Sequence, residues 1–350
     1  MEPVRIGFVG VGTMGQCAHL RNYASLPKCR VVALAEVRPE LAKRVAERYG
    51  VPGVYSSAEE MLAAERLDGI VAPQPFDRHG LLIEPLYRAG LPILTEKPLA
   101  SSIEVGERML AACRAAGSWH MVGYHKRSDP ATEYARAEID RLRQTGELGR
   151  LQFVRITMPA GDWIAGGFYD LVRSDEPMAP LERDPTAGDL DAENYRKYVS
   201  FVNYYIHQVN LLRHLLGEPY RMTFADRAGF ALVAETESGR TGILEMSPYR
   251  TTVEWEERAL IAFERGRIQL DLPAPVTLNR PGRVEVLADP GGGATPLVTS
   301  PQLPWVHAMR RQAENFVAAI RGQRPPPCEA DEALEDLKVA RDYIRLWTGA

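Results

Sequence analysis

The sequence predicts an α/β fold: a doubly wound parallel sheet, followed by a C-terminal α+β region with an open, mainly antiparallel sheet. Three observations predict this organisation. Apolar runs alternate with helix patterns up to residue 123, and a glycine-rich turn follows the first run. From residue 219 to 298, strand patterns separated by turns dominate. We therefore expect a first domain over residues 1–124 and a second over 125–350, with the last helix free to pack back on the first domain.

Length and composition narrow the classes of protein. The chain has 350 residues, 45% hydrophobic and 25% charged, with a formal net charge of −4. That charge gives no reason to expect nucleic acid or an anionic membrane as a partner. There is no apolar run near the ~20 residues of a membrane-spanning helix and no signal-peptide pattern, so we expect a cytoplasmic protein. Its four cysteines lack metal-ligand spacing, so we expect reduced thiols and no metal site.

The first third alternates strand and helix patterns, as βαβ units require. A parallel sheet with helices on both faces follows from this order. The predicted strands are Val4–Val9, Val31–Ala35, Gly69–Ala72, Pro92–Thr95 and His120–Gly123. The predicted helices are Thr13–Ser25, Pro39–Tyr49, Ser57–Ala64, His79–Ala89 and Ile103–Ala116.

The pattern changes after residue 125. Leu151–Met158 alternates like a half-exposed strand, residues 159–197 have a loop composition, and Phe201–Leu216 is a strong helix pattern. Further strands are predicted at Arg221–Ala228, Phe230–Glu237, Thr241–Met246, Thr252–Glu257, Ala259–Phe263, Arg267–Leu270 and Val284–Leu287, and closing helices at Trp305–Arg321 and Ala330–Thr348. Such a series indicates an antiparallel sheet with helices on one face.

A dinucleotide fingerprint follows the first predicted strand. The segment Gly10-Val11-Gly12-Thr13-Met14-Gly15 has the GxGxxG spacing and opens a predicted helix. Gly10 permits the tight turn, Gly12 admits the pyrophosphate, and Gly15 allows the helix to pack close to the strand. The N–H groups of that helix, together with Thr13 and Met14, would hold the pyrophosphate. The N-terminal domain is therefore predicted to be a Rossmann domain.

An acidic residue ends the second predicted strand. Glu36 lies 21 residues after Gly15, where a carboxylate accepts hydrogen bonds from the adenosine ribose. It would repel a 2′-phosphate, which favours NAD over NADP. Arg38 lies close enough to neutralise such a phosphate, so NADP stays possible.

The turn Glu96-Lys97-Pro98 ends a predicted parallel strand. Ligands of open α/β sheets bind at the carboxyl ends of the strands, so Lys97 projects toward the expected site. Beside the positive nicotinamide of NAD⁺, a partly desolvated lysine loses its proton more readily. It can then accept the proton of an alcohol as hydride leaves its carbon.

These segments resemble the glucose–fructose oxidoreductase / inositol dehydrogenase / MocA family (Gfo/Idh/MocA). The resemblance rests on the fingerprint, on Glu36 and on Glu96-Lys97-Pro98. It extends through three further segments, Asp68–His79, Val122–Pro130 and Asn315–Arg321, and so spans essentially the whole chain.

The resemblance implies a function as well as a fold. It implies hydride transfer between NAD(P) and a sugar, inositol or related polyol, with Lys97 exchanging the proton next to the nicotinamide. In many such proteins the Lys–Pro bond is cis. It places Pro75, His79 and Glu96 on the cofactor side. It also implies a homodimer or homotetramer formed through the C-terminal sheet.

The predicted helix Phe201–Leu216 carries a narrow polar stripe on an otherwise apolar surface. The stripe comprises Asn203, His207, Asn210 and His214, and it suggests a buried helix that faces a polar cavity. Members of the resembling family often place Asp-x-x-x-His here, next to the reacting carbon. His207 matches this pattern. Asn203 stands where the pattern has Asp, and its amide cannot accept a proton as a carboxylate does. We expect His207 and Lys97 beside the nicotinamide, with His214 structural.

Four more residues are candidate substrate contacts. Tyr124, Lys126 and Arg127 follow the last strand of the first domain, in a stretch that lines the substrate pocket of the resembling family. Trp163 lies in the glycine-rich loop after residue 159, where it would stack on a sugar ring. A structural role stays open for all four.

Two other functions stay open beside the dehydrogenase. One is an NAD-dependent glycoside hydrolase, in which the hydride transfer is transient and the cofactor is not consumed. The other is a non-catalytic NAD-binding regulator, which the replacement at Asn203 keeps possible.

Overall fold

The computed structural model describes residues 2–177, 180–247 and 249–349. The chain divides into two compact units. The first comprises residues 1–124, 167–195 and 312–337, and the second comprises residues 125–166, 196–311 and 338–350. The expected division into domains 1–124 and 125–350 stays a prediction, because contacts alone do not show which parts fold independently.

The first unit contains a parallel sheet of six strands within the described residues, ordered β3-β2-β1-β4-β5-β6. The Rossmann topology predicted from the sequence is confirmed. The strands are β1 (Val4–Val9), β2 (Cys29–Ala35), β3 (Gly53–Tyr55), β4 (Gly69–Ala72), β5 (Ile93–Thr95) and β6 (His120–Val122). Strand β3 was not predicted, because its three residues lack a strong apolar pattern.

Helices link these strands, and several begin at a local signal. A helical segment at Gly15–Leu20 continues into α1 (Arg21–Ala24), and α2 (Pro39–Tyr49) has a proline at its first position. Ser57 caps α3 (Ala58–Ala64) by accepting from the N–H of Glu60. Ser102 caps α5 (Ile103–Ala115) in the same way.

The predicted helix His79–Ala89 is wrong as a continuous element. The structure shows two short pieces there, α4 (His79–Leu82) and a 3₁₀ turn at Pro85–Ala89, and a further 3₁₀ turn at Phe76–Arg78 precedes them. Pro85 has no N–H group to donate to the preceding turn, so the helix cannot run through it.

The second unit is built on a sheet of eight strands within the described residues, ordered β14-β13-β12-β11-β7-β10-β9-β8. All its pairs are antiparallel except that of β7 with β10. The strands are β7 (Leu151–Thr157), β8 (Tyr220–Ala225), β9 (Ala231–Thr236), β10 (Thr241–Glu245), β11 (Arg258–Phe263), β12 (Gly266–Asp271), β13 (Arg283–Ala288) and β14 (Leu297–Thr299). The expectation of an open, mainly antiparallel sheet is confirmed.

Helices cover one face of this second sheet. Helix α6 (Pro130–Thr145) contacts β12 and β13, and α7 (Ala192–Leu216) brings Leu212 and Leu216 against Gly242 of β10. Helices α8 (Ala308–Ile320) and α9 (Ala330–Thr348) complete the chain. Helix α6 was not predicted from the sequence, and α7 begins nine residues before the predicted start at Phe201.

One predicted strand is absent from the described structure. Thr252–Glu257 alternates like a strand in sequence, yet it forms an irregular segment. The side chain of its last residue, Glu257, is buried and bonded to the side chains of Lys126 and Gln208, outside any strand ladder. The side-chain partners of this segment therefore override its local β pattern.

Candidate active site

The glycine turn after β1 requires glycine at two positions. Gly10 has φ +92°, and a Cβ there would lie 2.1 Å from Nε2 of Gln74, which donates to the carbonyl of Val9 at 2.7 Å. A Cβ on Gly15 would lie 2.8 Å from the carbonyl oxygen of Gly10. The turn is therefore closed tightly against the helix that follows, as a pyrophosphate-binding loop requires.

The outer side of the same turn is open. A Cβ on Gly12 would meet one atom within 4 Å, Nη2 of Arg38 at 3.9 Å. Thr13 is exposed and Met14 is half-buried. This open side, next to the N–H groups of the first helical turn, fits the diphosphate of a dinucleotide.

Glu36 is fixed at the end of β2 by two neighbours. Its Oε2 accepts from the N–H of Val11 at 3.0 Å, and its Oε1 accepts from Nε of Arg38 at 2.7 Å. The hydrogen bond to Glu36 raises the pKa of Arg38, with burial acting in the opposite direction. Glu36, the predicted ribose acceptor, is thus held beside the glycine turn, and the guanidinium of Arg38 is hydrogen-bonded to it.

The Glu96-Lys97 turn is anchored at the carboxyl end of β5. Oε1 of Glu96 lies 2.7 Å from Nε2 of His19, and Oε2 accepts from the N–H of Lys97 at 3.3 Å. Burial acts to raise the pKa of Glu96, but the hydrogen bond and charge of His19 and the charge of Lys97 outweigh it and lower that pKa. Lys97 is half-buried and precedes a cis bond to Pro98. His19 gave no signal in the sequence, since it lies inside a helix pattern.

His79 connects two loops of the first unit. Its Nδ1 lies 2.9 Å from the carbonyl oxygen of Leu99 and its Nε2 lies 3.1 Å from that of Gln74. Burial lowers its pKa, although both hydrogen bonds oppose the shift. Both ring nitrogens are engaged, so His79 positions the turn that contains Pro75.

In the second unit, the polar stripe of α7 is divided among different partners. Asn203 is exposed, whereas the ring of His207 lies 4.6 Å from that of His125, edge to face. Asn210 accepts from Nε of Arg127 at 2.6 Å. Burial, reinforced by nearby arginines, holds the pKa of His214 well below its ordinary value, which supports the structural role expected for it.

Lys126 has an internal partner. Its side chain is 4% exposed and forms an ion pair with Glu257, whose side chain is 1% exposed and also accepts from Nε2 of Gln208 at 2.8 Å. The ring of Trp255 lies 5.3 Å from the ammonium of Lys126. Tyr124 and Arg127 are buried as well. These contacts favour structural roles for three of the four candidate substrate residues.

Trp163 lies in a pocket of the second unit. The pocket has a volume of about 660 Å³, within the usual range of small-molecule sites. It is bordered by the aromatic rings of Trp163, Tyr204 and Trp347, by the amide of Asn203 and by two cations, Lys197 and Arg250. Tyr204 accepts from the N–H of Gly161 at 3.0 Å, which fixes the loop before Trp163.

The described residues contain no cluster of His, Cys, Asp or Glu suited to a metal ion. No helix among those residues is long and apolar enough to cross a membrane. The cysteines Cys17, Cys29, Cys113 and Cys328 are all free thiols.

Comparison with known proteins agrees with this geometry. Residues 4–124 match a family model described as "Oxidoreductase family, NAD-binding Rossmann fold". The chain is 26% identical to the inositol 2-dehydrogenase of Rhizobium meliloti over 98% of its own length and 96% of that protein. Residues 4–124 thus match the Gfo/Idh/MocA oxidoreductase family, and the chain as a whole is similar to an inositol 2-dehydrogenase.

Solved structures agree with the assignment to the Gfo/Idh/MocA family at the level of the fold. An aldose–aldose oxidoreductase from Caulobacter crescentus superposes with a TM-score of 0.72 at 21% identity, over 99% of this chain and 98% of that one. An oxidoreductase from Agrobacterium radiobacter in complex with NAD⁺ has a TM-score of 0.69 at 15% identity, over 99% and 96%. The first unit is thus a Rossmann domain of the NAD-binding type.

Proposed function

We propose that this oxidoreductase transfers hydride between NAD and a hydroxyl-bearing carbon of an inositol, a sugar or a related polyol, with Lys97 accepting the proton. The supporting observation is the Glu96-Lys97 turn, which His19 anchors at the same sheet edge as the glycine turn. A lysine held there is positioned to serve as general base.

The residues of the first unit fit the cofactor. Gly10, Gly12 and Gly15 would seat the pyrophosphate, and Glu36 would accept from the ribose hydroxyls. The nicotinamide, when bound, supplies the hydride acceptor or donor. Because Glu36 is anionic and engages Arg38, we propose NAD as the preferred form.

We assign the polyol to the pocket of the second unit. Its aromatic rings, Trp163 among them, suit the C–H faces of a sugar, and Asn203 offers both a hydrogen-bond donor and an acceptor to hydroxyls. Many family members have Asp where this chain has Asn203. In this chain Lys97 would therefore accept the proton without help from a carboxylate at position 203. His207 would then orient the reacting oxygen.

A panel of polyols tests this proposal. With NAD⁺ present, myo-inositol, scyllo-inositol and free aldoses should yield net NADH, measured by its absorbance, for at least one compound. Net NADH from a free polyol would exclude the glycoside hydrolase. Release of an aglycone from a glycoside without net NADH would instead support that alternative. A chain that binds NADH and turns over no compound would favour the regulator and contradict the proposal.

The open face of the second sheet supports a homo-oligomer. A row of side chains on this face crosses four strands: Leu260, Arg155, Ile243 and Val233. Three of the four are apolar, and all except exposed Arg155 are half-buried. A row of half-buried apolar side chains on the uncovered face of a sheet suits a self-complementary contact. We propose a homodimer or homotetramer through this face, acting in the cytoplasm.

Charge on that face should break the assembly. Ile243→Lys would bury an unpaired ammonium at the contact, so we expect the mass measured by light scattering to fall from oligomer to monomer. Val253→Lys is the control, because Val253 is 88% exposed and lies outside the strands. A monomeric wild type, or an oligomeric Ile243→Lys variant, would contradict the proposed interface.

A further inference from the structure

A segment from the long loop binds along the first helices of the Rossmann unit. We call residues 169–176 the strap. Val172 of the strap exchanges two hydrogen bonds with the side-chain amide of Gln16, at 2.9 and 3.0 Å. Asp170 pairs with Arg48, and the carbonyl of Arg173 accepts from Arg44 at 2.5 Å. The strap is therefore fixed both to the helical segment that follows the dinucleotide fingerprint and to α2.

The strap ends with a carboxylate at the start of α2. Oε1 of Glu176 accepts from the N–H of Glu40 at 3.1 Å, and Oε2 accepts from the N–H of Leu41 at 2.9 Å. Ser174 donates to the same Oε2 at 2.9 Å. The residue before α2, Arg38, provides no side-chain cap. A carboxylate more than a hundred residues away in sequence thus satisfies the free N–H groups of this helix.

Glu176 also acts on Arg38. The charge of Glu176 contributes to raising the pKa of Arg38, after the larger effect of the hydrogen bond to Glu36. Desolvation acts to raise the pKa of Glu176, yet its two backbone N–H partners, Ser174 and Arg38 together lower it. Glu176 is therefore ionised at neutral pH, and Arg38 is influenced by a carboxylate on the strap as well as by Glu36, just after β2.

A 2′-phosphate would need the groups that Glu176 uses. In a Rossmann domain the residue that ends β2 faces the 2′ position of the adenosine ribose, and a nearby arginine accommodates a phosphate there. The N–H groups at the start of a helix are the other usual donors to such a phosphate. Here the first N–H groups of α2 already bind the carboxylate of Glu176. The charges of two carboxylates, Glu36 and Glu176, act on Arg38.

We propose that Glu176 is a specificity-determining residue, which excludes NADP by occupying with its own carboxylate the place of the 2′-phosphate. This proposal rests on the proposed binding of NAD at Glu36. It adds Glu176 as a second anion that repels the 2′-phosphate of NADP. The strap supplies the second from a part of the chain outside the βαβ units. The carboxylate of Glu176 repels the 2′-phosphate of NADPH, whereas NADH has no phosphate at that position.

Binding of the reduced dinucleotides to the full chain tests the proposal. Dissociation constants for NADH and NADPH are measured by fluorescence for the wild type, Glu176→Gln and Asp175→Asn. We expect Glu176→Gln to tighten NADPH by about ten- to a hundredfold, the size of a removed like-charge contact, with NADH little changed. Asp175→Asn is the matched control, because it removes the charge of an exposed neighbour.

A double variant tests whether Arg38 binds the 2′-phosphate of NADPH. Adding Arg38→Met to Glu176→Gln should abolish the gain for NADPH. Three results would overturn the proposal: equal weakening of both dinucleotides, which a merely structural cap predicts; an unchanged ratio; or a wild type that already binds NADPH as tightly as NADH. The readout is binding, so a chain that oxidises no polyol would refute the proposed activity and leave this test intact.

Discussion

Replacing Lys97 with methionine should lower kcat/KM for the polyol by about a hundred- to ten-thousandfold, the usual contribution of a general base. Methionine keeps much of the length of the side chain but cannot accept a proton. The anchors of the turn, Glu96 and His19, stay in place, so the binding of NADH should hardly change. Steady-state kinetics on the substrate found in the panel, together with NADH fluorescence, measure both effects.

Two further variants sharpen this result. Lys97→Arg keeps a cation but cannot lose its proton at neutral pH, so it should be nearly as inactive as Lys97→Met. Lys43→Met removes an exposed lysine from α2 and should retain full activity. If Lys97→Arg kept wild-type turnover, Lys97 would act by its charge, and the proposed proton transfer would be wrong.

The fold was predictable where the signal is local. The glycine spacing and the alternation of apolar runs with helix patterns were enough to predict the Rossmann sheet and the residues of its fingerprint. Local signals for α6 were also present: Asp129 accepts from the N–H of Ala131, Pro130 occupies the first position, and Gly146 ends the helix. Its few apolar residues among many charges hid the helix from a search based on hydrophobic runs.

The contacts of the site that could not be predicted join residues far apart in the sequence. Glu96 meets His19, Glu176 meets the start of α2, and Lys126 meets Glu257, at separations of 77, 135 and 131 residues. No spacing rule reaches across such distances, since the tertiary fold decides which charges meet. The same reason explains why Lys126 was a candidate for substrate binding, although the structure gives it an internal carboxylate.

That internal pair leads to the largest expected effect on stability. Lys126→Met should lower the free energy of unfolding by about 3–5 kcal/mol, because it leaves the carboxylate of Glu257 buried without its cation. The remaining hydrogen bond from Gln208 cannot neutralise that charge. Urea denaturation, read by tryptophan fluorescence, measures the change.

A double variant and an exposed ion pair complete the test. Lys126→Met combined with Glu257→Gln should recover much of the loss, since neither charge is then buried. Arg258→Met breaks a pair with Asp271 whose side chains are 62% and 42% exposed, and should cost no more than about 1 kcal/mol. If the losses of the single variants at 126 and 257 simply added in the double variant, the two charges would not depend on each other. That result would contradict the role of Lys126 as an internal partner of Glu257.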